Sequence, residues 1–204
     1  MKPRERLEPL VFLVSAPSGT GKSTLVAGLM HSVPRLRRVV TCTTRRPRAD
    51  ERDGVSYHFL EPAEFDARIK RGDFIEWNEI YGDRYGTSRH AFDQALEAAK
   101  HHGEDLVLVI DVDGKENFVA AYGEAVTIFL LPPSIEELRR RLEGRGSEPR
   151  ADTARRLERA RGEIARADHY RHQVVNDSKH LALERLREIV ATERARRNAG
   201  PRRG

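Results

Sequence analysis

Residues 10–26 read LVFLVSAPSGTGKSTLV. An apolar run stops at small residues, and Lys22, Ser23 and Thr24 follow at once. Glycines at 19 and 21 let a loop turn its N–H groups inward at an anion, which a following helix N-terminus also attracts. Lys22 can reach outer phosphate oxygens, and the Ser23 hydroxyl can ligate a Mg²⁺ ion carried by them. The spacing matches G-x-x-x-x-G-K-[ST] except that Ala16 holds the first glycine position. A second group of anion-seeking residues follows in TCTTRRPRADERDGVSYHF, residues 41–59. Arg45 and Arg48 flank Pro47, which stiffens the turn, and two fixed guanidiniums can grip one phosphate through paired hydrogen bonds. Thr41, Thr43 and Thr44 add hydroxyls and Tyr57 a phenol, although Arg38, Arg45, Arg46 and Arg52 read equally well as solvated charges.

The elements that must carry these residues follow from hydropathy. Leu10–Val14 suits a buried strand, and Leu25, Val26 and Leu29 recur at helical spacing. Apolar runs at Leu106–Val112, Ala125–Leu131 and His172–Val175 predict further strands with helices between them, which is the pattern of a parallel α/β sheet. PPSIEELRRRLEGRG predicts a helix opened by a Ser134–Glu137 capping box, with Ile135, Leu138 and Leu142 on one face and an end at Gly144 and Gly146. LALERLREIV predicts a closing helix with Leu183, Leu186, Ile189 and Val190 inward. Residues 40–100, with strand-like VSYHFL and FIEWNEI, read as an insertion. Residues 143–170 read as too polar for a buried helix pair. His101 and His102 fall in an expected turn, without metal partners.

The chain has 204 residues, enough for a buried core, and a formal net charge of +5 that favours anionic partners. One cysteine, Cys42, excludes a disulfide framework and a cysteine metal site within one chain. The expectation is a protein of the reducing cytoplasm with no signal peptide and no membrane span. The basic tail RARRNAGPRRG reads as a solvated end.

In order along the chain, SAPSGTGKST, TTRRPR, GVSYHF, FIEWNEIYGDRYGTS, IFLLPPSIEELRRRLEGRG, ARRLERARGEI and VVND resemble the guanylate kinase family over residues 10–190. Bacterial members commonly read APSG where Ala16 stands. The resemblance implies a P-loop core with a parallel sheet flanked by helices (1–39, 104–134 and 171–204), a GMP-binding subdomain (40–103) and a helical lid (135–170). It implies transfer of the γ-phosphoryl group of ATP to GMP, with Mg²⁺ as cofactor and dGMP admitted as an acceptor. Ala16, Pro17, Ser18, Gly19, Thr20, Gly21, Lys22, Ser23, Thr24 and Asn176 would bind ATP, with Ser23 on the metal. Thr41, Arg45, Arg48, Tyr57, Glu76, Tyr85, Gly86, Thr87 and Arg156 would bind GMP. Lys22, Arg45, Arg145, Arg156 and Asp111 would carry catalysis, with Arg141 arriving on the lid. The acceptor oxygen is already anionic, so no general base is needed, and cations with positioning do the work.

Guanine presents N1–H and N2–H₂ side by side, and one carboxylate can accept both. The matching position is Glu76, with Glu79 outside the motif. Adenine would leave that carboxylate unpaired. Trp77 and Phe74 read as packing. The alternatives are a related module acting on another phosphorylated acceptor and a non-catalytic protein-binding module, but the latter commonly lacks the loop lysine and lid arginines present here. Specific nucleic-acid binding would need an aromatic platform or reading helix that the sequence does not offer. Self-association is left open.

The resemblance departs at LVLVIDVDGKENF, where members usually read D-I-D-x-Q-G. Val109 replaces the first aspartate, Asp111 keeps the second, and Asp113 replaces the glutamine. On a continuing strand 109, 111 and 113 would share one face. One reading is drift, in which Val109 packs and Asp113 is a solvent-facing loop residue; a second is altered acceptor choice or weak activity. In the third, Asp111, helped by Asp113, holds the essential carboxylate role, on the GMP side and on Mg²⁺ through water, and Val109→Asp is tolerated or improves turnover.

Overall fold

The computed structural model describes residues 7–144 and 150–199, without the side chains of 150–152. The apolar opening run forms β1 (Val11–Ser15), buried at all five positions. The glycine loop follows, and α1 (Lys22–Ser32) turns Leu25, Val26 and Leu29 inward. Short strands β2 (Leu36–Arg38), β3 (Cys42–Thr43) and β4 (His58–Phe59) precede α2 (Pro62–Arg71). Then come β5 (Phe74–Ile80), β6 (Asp83–Ser88), α3 (Arg89–His102), β7 (Asp105–Val109) and α4 (Val112–Tyr122). The chain continues through β8 (Val126–Leu131), α5 (Ile135–Glu143), α6 (Arg150–Ile164), β9 (His172–Val175) and α7 (Lys179–Ala199).

The expected α/β fold is present. A five-stranded sheet runs in the order β2-β7-β1-β8-β9, and the β2–β7, β1–β8 and β8–β9 pairs are parallel. A second, mixed sheet runs β4-β3-β6-β5. There β3 and β4 are parallel, while β6 is antiparallel to both β3 and β5.

Backbone packing divides the chain into two compact units. The loop unit holds 12–34 and 126–199 of the described residues, and the insertion unit holds 7–11 and 35–125. In the loop unit, fully buried Phe12, Leu13, Ile128, Phe129, Leu130 and Leu186 make the core. In the insertion unit, Phe65 stacks on Phe74 with centroids 4.4 Å apart, and Cys42 is buried with them.

Four expectations require correction. The run Leu106–Val112 is not one strand, because β7 stops at Val109 and α4 starts at Val112. The cause is Asp111, whose side chain caps the helix by accepting from the Asp113 and Gly114 N–H groups. Residues 109, 111 and 113 therefore do not alternate along a strand face. Within 143–170, α6 is not a loose polar helix, since Leu157 and Ala160 pack on Leu138 and Leu142 of α5. Two well-spaced apolar residues suffice when the opposing face is leucine. His101 and His102 lie in the last turn of α3, and the turn comes at Gly103. Trp77 is exposed rather than packed, because the alternation of β5 that buries Glu76 turns its neighbour outward.

The closing helix is longer than the apolar pattern suggests. Ala182, Leu186 and Val190 are its buried residues along with Glu193, while Leu183 and Ile189 are half-buried. Glu193 is tolerated inside because His172, Arg171 and Arg196 all reach it, at 2.9, 2.8 and 2.7 Å. Among the described residues no helix is long and apolar enough to cross a membrane.

Candidate active site

In the loop unit, the backbone does what the glycines predict. Gly19 and Gly21 have φ of +89° and +94°, in the left-handed region that favours glycine. Space is tight as well: a Cβ on Gly21 would stand 2.8 Å from Asn176 Nδ2, and one on Gly19 would stand 3.0 Å from Leu142 Cδ2, which would have to give way. Ala16, at the departure from the glycine pattern, is buried. The Lys22 ammonium lies 3.5 Å from the Ala16 carbonyl, across the loop it belongs to. Ser23 and Thr24 are exposed at the start of α1 and Ser18 at the loop crest, while Thr20 is buried.

Asn176, the third residue of VVND, acts here on the loop itself. It is buried, and its Nδ2 donates to the Thr20 carbonyl at 2.6 Å. Arg141 Nε donates to Glu137 at 2.7 Å, and its NH2 donates to the Asn176 carbonyl at 3.3 Å. Ser134 Oγ accepts from Glu137 N at 3.1 Å, the half of the capping box that orients this helix. Arg156 on α6 places NH1 3.5 Å from Ser18 Oγ. Arg145 lies outside the described residues.

The insertion unit uses side chains. Arg45 donates through NH2 to both Glu51 oxygens, at 2.8 and 2.9 Å, and the Arg48 N–H reaches the same carboxylate at 2.8 Å. Burial alone would raise the Glu51 carboxyl, but the Arg48 N–H and the Arg45 guanidinium outweigh it and hold it low. Arg45 also sits over the Tyr57 ring, 5.6 Å from its centroid, and Tyr57 meets Tyr85 edge-on at 6.1 Å. Burial raises both phenols, so each keeps its proton as a donor. Thr41 is buried, and the Arg48 side chain is exposed. Arg45, Tyr57 and Tyr85 are thus brought together, with Arg48 tied in by its backbone.

Glu76 is buried on β5, and Thr87 Oγ1 of the neighbouring strand donates to its Oε1 at 2.6 Å. Burial pushes the Glu76 carboxyl up to about 7; the Thr87 hydroxyl opposes this and the charge of Asp111 adds to it. Gly86 fits because a Cβ there would be 3.0 Å from the Glu76 carbonyl. Asp111 Oδ1 takes three donors: Asn78 Nδ2 at 2.5 Å, Asp113 N at 3.0 Å and Gly114 N at 3.1 Å. Val109 is only 5 % exposed at the end of its strand, so it packs, and a carboxylate there would be buried.

Glu51 and Asn78 join these candidate groups through Arg45 and Asp111, although the sequence did not single them out. Asn78 had a signal, since it stands two residues from Glu76 on a strand and shares its face. Glu51 had none in hydropathy, because it belongs to an irregular loop. Among the described residues no group of three or more His, Cys, Asp or Glu could hold a metal ion.

A family model described as guanylate kinase matches residues 8–193. The guanylate kinase of Geobacter metallireducens is 42% identical over 189 residues, covering 93% of this chain and 91% of that protein. That of Bordetella pertussis is 43% identical over 187 residues, covering 91% and 85%. Among solved structures, guanylate kinase from Anaplasma phagocytophilum superposes with a TM-score of 0.72 at 28% identity, covering 92% of this chain and 87% of that one.

Proposed function

The chain belongs to the guanylate kinase family of ATP:GMP phosphotransferases, and on that footing we propose how its residues divide the transfer of the ATP γ-phosphoryl group to GMP. The loop from Ala16 to Thr24 cradles the ATP phosphates, with N–H groups supplied by a backbone that only glycine at 19 and 21 can trace. Lys22 meets the outer phosphates. Asn176 serves ATP by bracing Thr20, and this rests on its 2.6 Å hydrogen bond to the loop. Arg141, Arg145 and Arg156 neutralise charge on the transferring group, with Arg156 beside Ser18 as the supporting contact. The lid is the segment 135–170, and the acceptor segment is 40–103.

Mg²⁺ fits the donor set. Ser23 presents an exposed hydroxyl at the start of α1, and among the described residues no group of three or more His, Cys, Asp or Glu competes for the ion. An ion that arrives on a triphosphate and keeps several waters needs only such a donor. When bound it would neutralise phosphate charge.

Arg45, Arg48, Tyr57, Tyr85 and Thr41 hold the GMP phosphate, with Glu51 keeping Arg45 in place. Glu76 accepts N1–H and one N2–H of guanine, Asp111 takes the remaining amino hydrogen, and Thr87 orients Glu76. Gly86 supplies the close strand approach. dGMP satisfies the same base contacts and is a second acceptor.

The observation that carries this reading is Glu76, a buried carboxylate whose hydrogen bond from Thr87 fixes its direction. Such a group is costly in an empty protein and suits a ligand that offers paired donors. A coupled assay with GMP, dGMP, AMP and a sugar phosphate tests it. Turnover of GMP and dGMP alone is expected, and a preference for AMP or the sugar phosphate would overturn it.

A further inference from the structure

Asn78 takes no part in the phosphate chemistry, yet its amide donates to Asp111 Oδ1. An ionised carboxylate only accepts, so the amide nitrogen must face Asp111 and the amide oxygen must point away. That oxygen is buried and has no hydrogen-bond partner. A buried acceptor left unpaired is a cost, and a residue that carries it needs a compensating role.

The compensation lies in which Asp111 oxygen is offered. Oδ1 already receives the N–H groups of Asp113 and Gly114, and Asn78 adds a third donor from the strand that bears Glu76. Two donors belong to the Asp111 helix itself. Asn78 ties the carboxylate to β5. The other oxygen, Oδ2, turns toward Gly114. The point where a Gly114 Cβ would stand lies 2.7 Å from Glu76 Oε2 and 3.3 Å from Asp111 Oδ2. Both carboxylates therefore flank one point, and Gly114 leaves room for the pair. A purine edge with three N–H donors asks for this: two for one carboxylate and one for its neighbour.

We propose that Asn78 is a positioning residue for guanine selectivity, which locks Asp111 so that Oδ2 stands beside Glu76 for the 2-amino group. This rests on the reading of GMP as acceptor. Asn78 acts through Asp111 and touches no reacting atom.

The test compares parent enzyme, Asn78→Ala and Asn78→Asp on GMP and on IMP, which lacks the 2-amino group, with thermal unfolding of each. Asn78→Ala should lower kcat/KM for GMP about tenfold or more, mainly through KM, and leave IMP nearly unchanged. Asn78→Asp keeps the shape but sets a second carboxylate against Asp111 Oδ1, so it should lose more GMP activity than Asn78→Ala. A packing role predicts the reverse order, because the near-isosteric residue would then be milder. Parallel losses on GMP and IMP, or Asn78→Asp milder than Asn78→Ala, overturn the proposal. If GMP turnover is normal in the parent and the GMP/IMP ratio does not move, only this inference fails. If the parent does not phosphorylate GMP, the functional reading fails and takes this one with it. Should Asn78→Ala not fold, the near-isosteric Asn78→Asp still decides: an unchanged GMP/IMP ratio counts against, a collapsed one in favour.

Discussion

On the proposed reading, the two units serve anion binding and base reading by different means. The loop unit offers backbone N–H groups and long cations, and its bracing bonds from Asn176 and Arg141 end on main-chain carbonyls of Thr20 and Asn176. The insertion unit offers side chains held by side chains: Arg45 by Glu51, Glu76 by Thr87, Asp111 by Asn78. A phosphate is a round, strongly charged group that many N–H arrangements can hold. A purine edge must be told from its near relatives, which takes directed acceptors buried away from water. The cost of burying them falls on the unit that selects. Substitutions at the base-facing residues of the insertion unit, Glu76, Thr87 and Asp111, should therefore change which acceptor is used, and those in the loop unit should change rate for every acceptor.

The sharpest break is Glu76→Gln. It replaces an acceptor with a mixed donor–acceptor against two guanine N–H groups, and kcat/KM for GMP should fall by up to ~10⁴-fold. Equilibrium ATP binding, measured by calorimetry, should not change. GMP turnover at the parent level would show that the base is read elsewhere.

Next in size is Arg156→Ala in the loop unit. If its guanidinium, which lies beside Ser18, meets charge on the transferring group as proposed, kcat should drop by ~10³. GMP, dGMP and any slow acceptor should lose alike. An effect confined to GMP would erase the contrast between the units.

Asp111→Asn should cost ~10² in kcat/KM for GMP, about 2.7 kcal/mol of transition-state stabilisation. The substituted amide would oppose an N–H₂ group either to the helix N–H groups or to the ligand. Steady-state kinetics against ATP at saturating GMP should show the ATP KM unmoved.

How far these residues could be read without a structure differs by unit as well. The loop was legible because its chemistry is contiguous: strand, glycines, lysine, hydroxyl and helix within one stretch, and α1 begins at Lys22 as the pattern requires. The strand at His172–Val175 was legible to the residue. The insertion unit was legible only through resemblance, since Glu76, Thr87 and Asp111 meet by strand pairing and by a cap that hydropathy does not encode. The error at Asp111 shows why. LVLVIDV is apolar enough to extend a strand, and only the competition of an aspartate for two N–H groups ends it. The same kind of local override made 143–170 look too polar, because the partner surface that buries Leu157 lies in α5.

The smallest effect separates the units by pH. Burial raises the Glu76 carboxyl from an ordinary 4.5 to about 7, whereas guanine requires it ionised. Below pH 7 the ligand-free site holds a proton that GMP must displace, so KM for GMP should rise by up to tenfold per pH unit there and level off above pH 8. Unfolding should show the opposite face of the same linkage. A carboxyl raised by folding stabilises the native state below pH 4.5, and that stabilisation is lost as pH climbs through 7, by roughly 3 kcal/mol at most. The clean measure is the Tm of the parent minus that of Glu76→Gln, since the amide does not titrate. This difference should shift in favour of the Gln variant between pH 4.5 and 7. A flat difference would mean that Glu76 ionises normally, and the buried carboxylate would then need a cation partner that the geometry does not supply. The loop unit gives the control, because on the proposed reading ATP makes no use of the Glu76 carboxyl. The affinity for ATP should follow only the titration of ATP itself, so a GMP-specific pH term assigns the proton to the insertion unit.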